Sequence, residues 1–157
     1  MNERRRHEKH LELSYLIGRY VTDHLLRVNR VFEGDLTAAL VLATIAQRNM
    51  QRFYDDVARR SERGLDRLVE ADEHLPHLRA CNALSVSDAT GIPRETVRRK
   101  VKWLIAKGWV TAGERGRLAI ARRIGKQFEE FDRESIARFE DTARQVLAVI
   151  DGPGRSE

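Results

Sequence analysis

The sequence predicts a mainly α protein that carries one small two-stranded β-hairpin. Three observations point there. Apolar residues recur at helical spacing over long stretches towards both ends of the chain. Two short helical patterns meet across Gly91-Ile92-Pro93. The stretch 109–121 alternates in character, holds Gly113 and Gly116 at its middle, and has room for a hairpin only.

Taken in order, the elements fill a chain expected to be one domain over 1–157. Residues 9–31 form an N-terminal helix, since Leu13, Leu16, Ile17, Tyr20, Val21, His24, Leu25 and Val28 repeat at three- and four-residue steps. Glu33-Gly34-Asp35 breaks that pattern, and Asp35 suits the N-cap of a central helix over 35–58. Between 36 and 46 this helix is apolar nearly all round, which places it in the middle of its fold. Residues 60–78 are polar, contain Gly64 and Pro76, and read as a connector. A module over 79–121 follows, and then a C-terminal helix over 126–150. Phe128, Phe131, Ile136, Phe139, Ala143, Val146, Leu147 and Ile150 make the apolar stripe of that last helix, and Gly152-Pro153-Gly154 stops it.

Composition narrows the class. With 41% hydrophobic and 34% charged residues the chain can build a core, and no apolar run approaches the roughly 20 residues that cross a bilayer. No apolar stretch follows the basic start, so a secretory signal is not expected. Cys81 is the single cysteine, which rules out an intrachain disulfide and suits a cytoplasmic location. The formal charge of +5 is concentrated: residues 82–126 hold 11 Lys/Arg against 3 Asp/Glu, whereas 127–157 hold 4 against 8. A polyanion would be drawn to the middle of the chain.

The pattern within that basic segment is specific. Asn82 can cap a two-turn helix over 83–90, and Gly91 can end it in the left-handed conformation. Pro93 suits the first turn of the next helix, 94–107, which stops at Gly108. In that second helix Val97, Val101, Leu104 and Ile105 share one side. Glu95, Arg99 and Lys102 lie roughly opposite, with Thr96 and Arg98 on the flanks and Arg94 in the first turn. An apolar anchor face backed by a basic outer face is what insertion into a DNA groove requires. The hairpin comes next, 109–112 returning as 117–121, with Arg115 at its tip and Arg117 beside it. Either arginine can reach a phosphate or the minor groove.

Residues 82–121 resemble the winged helix-turn-helix of bacterial transcriptional regulators of the MarR, IclR and GntR kind. The resemblance rests on Gly91, the Thr96-Val97 pair followed by Arg98 and Arg99, Leu104, and the closing Gly108-Trp109-Val110. It implies a winged helix with flanking N- and C-terminal helices, and sequence-specific binding of double-stranded DNA. Two positions depart from the usual pattern: Ser87 stands where Ala is common, and Trp103 falls on the outward side where a polar residue is usual, unless it packs on the wing or on another helix.

The expected DNA-binding set is Ser85, Arg94, Glu95, Thr96, Arg98, Arg99, Lys102, Arg115 and Arg117. Arginine can read guanine with two hydrogen bonds, Glu95 can accept from cytosine or orient an arginine, and Ser85 is first a helix-start residue. His74, His77 and Cys81 could ligate a metal, but Pro76 interrupts the helix that would align them and a fourth ligand is not evident. Arg4-Arg5-Arg6 reads as a solvated terminus more than as a basic arm on DNA. Tyr15, Tyr20, Phe32 and Phe53 read as core rather than as an effector pocket, and any small-molecule effector stays unidentified. No nucleotide loop, catalytic constellation or cofactor motif is present, so an enzyme is not expected. The first and last helices have stripes wide enough to pair with a second copy, giving a homodimeric transcriptional regulator. The rival readings are a plasmid or phage replication or partition factor on DNA, and a winged fold that contacts a partner protein.

Overall fold

In a computed structural model, residues 3–60, 81–121 and 123–152 are described. Among them the chain is mainly helical, with a small antiparallel sheet of two strands. The order is α1 (Glu3–Val31), α2 (Leu36–Arg60), α3 (Ala83–Thr90), α4 (Arg94–Ala106), β1 (Val110–Ala112), β2 (Leu118–Ile120) and α5 (Ile124–Asp151). No described helix is long and apolar enough to cross a membrane. The connector expected over 60–78, with His74 and His77, falls past Arg60 outside the described residues.

Contacts divide the chain into two compact units: 1–34 with 125–157, and 35–124. The first is built on α1 and α5. Helix α1 begins six residues before the expected start at 9, because 3–8 are polar and make local pairs such as Arg4–Glu8 at 3.1 Å. The two helices run antiparallel: Lys9 donates to the Ile150 carbonyl at one end, and Phe32 meets Phe128 at 6.1 Å at the other. Near the Phe32 end, the buried Arg27 guanidinium lies 3.3 Å from Asp23 and 3.6 Å from Glu134, over the Phe131 ring. Tyr20 packs edge-on against Phe139.

Leu16, Phe32 and Arg27 are buried in this unit, whereas α5 buries no side chain over 28 residues. At roughly 100° per residue, the exposed Ile17, Val21 and Leu25 of α1 fall on the same side of the pair as Ile136, Phe139, Leu147 and Ile150 of α5. Arg19, Asp23, Glu134, Arg138 and Asp141 line an open groove on the other side. The helix pair therefore has one open side lined by charged residues and one lined by apolar residues, with Tyr15 and Leu26 of α1 also exposed beside Arg19.

The second unit is organised on α2, which packs against α3, α4 and β2. Ala38, Ala39, Val41, Leu42 and Ile45 of its apolar first half are buried. The small side chains of Ala38 and Ala39 let neighbours approach closely. Val86 of α3, Val97, Val101 and Leu104 of α4, and Val110 and Leu118 of the hairpin complete the core. Burial of each Val or Leu contributes about 1.5–3 kcal/mol.

Candidate nucleic-acid interface

The basic segment is held by local chemistry that begins at Asn82. Its side chain accepts from the Ser85 N–H at 2.9 Å, and the Asn82 N–H donates to the Ser85 hydroxyl at 3.0 Å, a reciprocal capping box on α3. The Ser85 hydroxyl proton goes to the Asn82 carbonyl at 2.9 Å, so this side chain is committed to the cap. Gly91 ends α3 at φ +70°, where a Cβ would be strained, and its N–H returns to the Ser87 carbonyl. The Ser87 hydroxyl crosses the turn to the Ile92 carbonyl at 2.7 Å. That bond gives the serine a use that alanine would not have. Pro93 occupies the N-cap and α4 starts at Arg94.

Val97, Val101 and Leu104 anchor α4 in the core as the periodicity predicts, whereas Ile105, expected on the same side, lies at its edge and is exposed. Arg94, Glu95, Arg98, Arg99 and Lys102 are exposed, and Thr96 is half-buried at the flank. Arg98 pairs with Glu95 at 3.6 Å, which of Glu95's two possible roles is the orienting one. Arg94, Arg99 and Lys102 make no side-chain hydrogen bond or ion pair among the described residues. Trp103, on the outward side of the wheel but with packing on the hairpin as the alternative, is half-buried. It meets Trp109 edge-on at 5.5 Å, with the Lys107 ammonium over its ring.

Lys100 is the exception among the cations of α4. It flanks the buried side and pairs with Asp35, whose other carboxylate oxygen caps α2 by accepting from the Ala38 N–H at 2.9 Å. Burial acts to raise the Asp35 pKa. The hydrogen bonds from Lys100 and Ala38, with the charges of Lys100 and Arg99, outweigh it and hold the carboxyl below its ordinary value. The periodicity of α4 places Lys100 between the apolar and basic faces, a signal that sequence reading passed over.

β1 and β2 pair antiparallel, with Val110 opposite Ile120 and Ala112 opposite Leu118. The strands are a residue or two shorter than expected, because Trp109, Arg117 and Ala121 fall just outside the ladder. A tight turn over Glu114–Gly116 joins them, with Arg115 at φ +56°. Arg115 and Arg117 are exposed, and no side-chain bond holds either among the described residues. Asn49 was not anticipated. It is wholly buried on α2 and its amide engages β2: the Ile120 N–H donates to Oδ1 at 3.0 Å, and Nδ2 donates to the Leu118 carbonyl at 3.3 Å.

The other candidate groups fall elsewhere. Cys81 is buried at 3.6 Å from the Ser85 hydroxyl. Arg4 is solvated, as expected, but lies within α1 and pairs with Glu8. Tyr15 is exposed with Arg19 over its ring, Tyr20 packs on Phe139, Phe32 is in the core, and the Phe53 side chain lies outside the described residues. Comparison with protein-family profiles, curated proteins and solved structures gives no match to this chain.

Proposed function

We propose that this protein binds double-stranded DNA through a winged helix-turn-helix formed by α3, α4 and the β1–β2 hairpin. Helix α4 enters the major groove and the hairpin is the wing. The reading is carried by one observation: Arg94, Arg99, Lys102, Arg115 and Arg117 are exposed cations without a side-chain partner among the described residues, on a helix and a hairpin packed into the same small unit. A merely solvated basic helix face would not need an adjoining hairpin that also carries free arginines. Arg98 and Glu95 act as an oriented pair beside Arg99, Thr96 serves the phosphates at the flank, and Ser85 acts through the helix cap.

The biological role that follows is transcriptional regulation by occupancy of an operator. The apolar open side of the α1–α5 pair joins a second copy, so that two reading units meet a pseudo-palindromic site with half-sites about 34–36 Å apart. Titration of the purified protein against its own upstream DNA and a scrambled duplex, at several salt concentrations, tests the reading. Expected are a steep salt dependence on both duplexes and a footprint on the specific one. Binding that is absent, or independent of salt, overturns it.

A further inference from the structure

A hairpin with three-residue strands does not hold its own position. In β2, Leu118 and Ile120 turn their backbone groups away from β1, leaving an edge that must be satisfied elsewhere. The Leu118 N–H donates to the Cys81 carbonyl at 2.8 Å. Two of the other three groups, the Leu118 carbonyl and the Ile120 N–H, go to the one side-chain amide of Asn49. Asn49 thus does for this edge what a neighbouring strand would do. A leucine of similar size would fill the same buried volume but could make neither bond, so packing alone does not account for the amide.

Asn49 also has a counterpart. At the start of the same helix, Asp35 holds Lys100 of α4. Helix α2 therefore grips the recognition helix by one side chain and the hairpin by another, about 21 Å further along its axis at 1.5 Å per residue. Neither Asp35 nor Asn49 is among the groups proposed to touch DNA.

We infer that Asn49 is a positioning residue for the wing, fixing β2 to α2 so that Arg115 and Arg117 meet the backbone beside the groove that α4 occupies. This rests on the DNA-binding reading above. Loss of the amide leaves α4 in place and frees the hairpin, so Asn49→Leu should resemble removal of the two wing arginines.

The test compares wild type, Asn49→Leu, Arg115→Ala/Arg117→Ala and the triple variant on one duplex across a salt series, with amide exchange of the DNA-free proteins alongside. In Asn49→Leu, exchange at Leu118 and Ile120 should rise while Val101 and Leu104 stay protected. Its salt slope should fall by about 1.8 units, the worth of two phosphates. The triple variant should then bind no more weakly than the double arginine variant. An unchanged slope in Asn49→Leu, or additive losses in the triple variant, overturns the inference. Loss of cooperative unfolding in both Asn49→Leu and Asn49→Asp also overturns it, because Asn49 would then be a core residue with no separate hold on the wing. If wild type itself binds no duplex, the DNA reading fails separately, and the exchange data still decide whether Asn49 holds β2.

Discussion

Arg99 stands opposite Val97, Val101 and Leu104 on α4, early enough in the helix to face base edges. Its exposure means that truncation removes no packing, and such surface changes cost under about 0.5 kcal/mol of stability. Arg99→Ala should therefore keep the wild-type circular dichroism and melting curve. Operator affinity should fall by about 1–3 kcal/mol, with preference relaxed at one base pair in each half-site. Non-specific binding should fall much less. Titration against operator and scrambled duplex at one salt concentration separates the outcomes. Equal weakening on both would make Arg99 a phosphate contact, and no weakening would mean that another face of α4 meets the DNA. Lys100, one residue on, is the contrast: its charge is already spent on Asp35, so position on the wheel and not residue type decides which cations are free.

At the scale of elements, features set by a few neighbouring residues were legible in the sequence. The Asn82 cap, the left-handed Gly91, the start of α4 after Pro93 and the hairpin around Gly113 and Gly116 all depend on local backbone chemistry. What the sequence hid depends on partners far along the chain. Asn49 reads as an ordinary polar residue late in a helix, and only β2, some 70 positions on, reveals its use. For Trp103 the sequence left open whether it packs on the hairpin or on a helix, because its partner Trp109 lies beyond the end of α4. The hairpin itself yields a prediction. A wing mostly holds phosphates, which are the same in every sequence. Arg115→Ala and Arg117→Ala should weaken specific and random duplexes alike, each lowering the salt slope by about 0.9 units. Unchanged affinity and slope in the double variant would show that the hairpin stays clear of DNA.

On the scale of the whole molecule, the α1–α5 pair leaves a broad apolar surface open. A 28-residue amphipathic helix that buries none of its side chains is unusual for a monomer. Seven large apolar residues on the open side, Ile17, Val21, Leu25, Ile136, Phe139, Leu147 and Ile150, are each about half exposed. Together they offer on the order of 700 Å², close to the roughly 800 Å² per partner of a standard interface. A second copy fits as the occupant, since a two-fold axis sets this apolar side against the same side of its partner. The polar groove on the opposite side has its charges compensated within the chain, Arg138 between Asp23 and Glu134, and offers no such surface. A dimer closed on the apolar side is therefore expected. Light scattering at micromolar concentration should give twice the 18.1 kDa chain mass. Val21→Glu with Phe139→Glu should halve that mass while helicity is retained, since each carboxylate would be buried without a partner only in the dimer. The same variant should lose operator affinity far more than affinity for a single half-site, because only the dimer gains from two linked contacts. A wild-type protein found only at 18.1 kDa, or a double glutamate variant that stays dimeric, would remove this side of the helix pair as the interface.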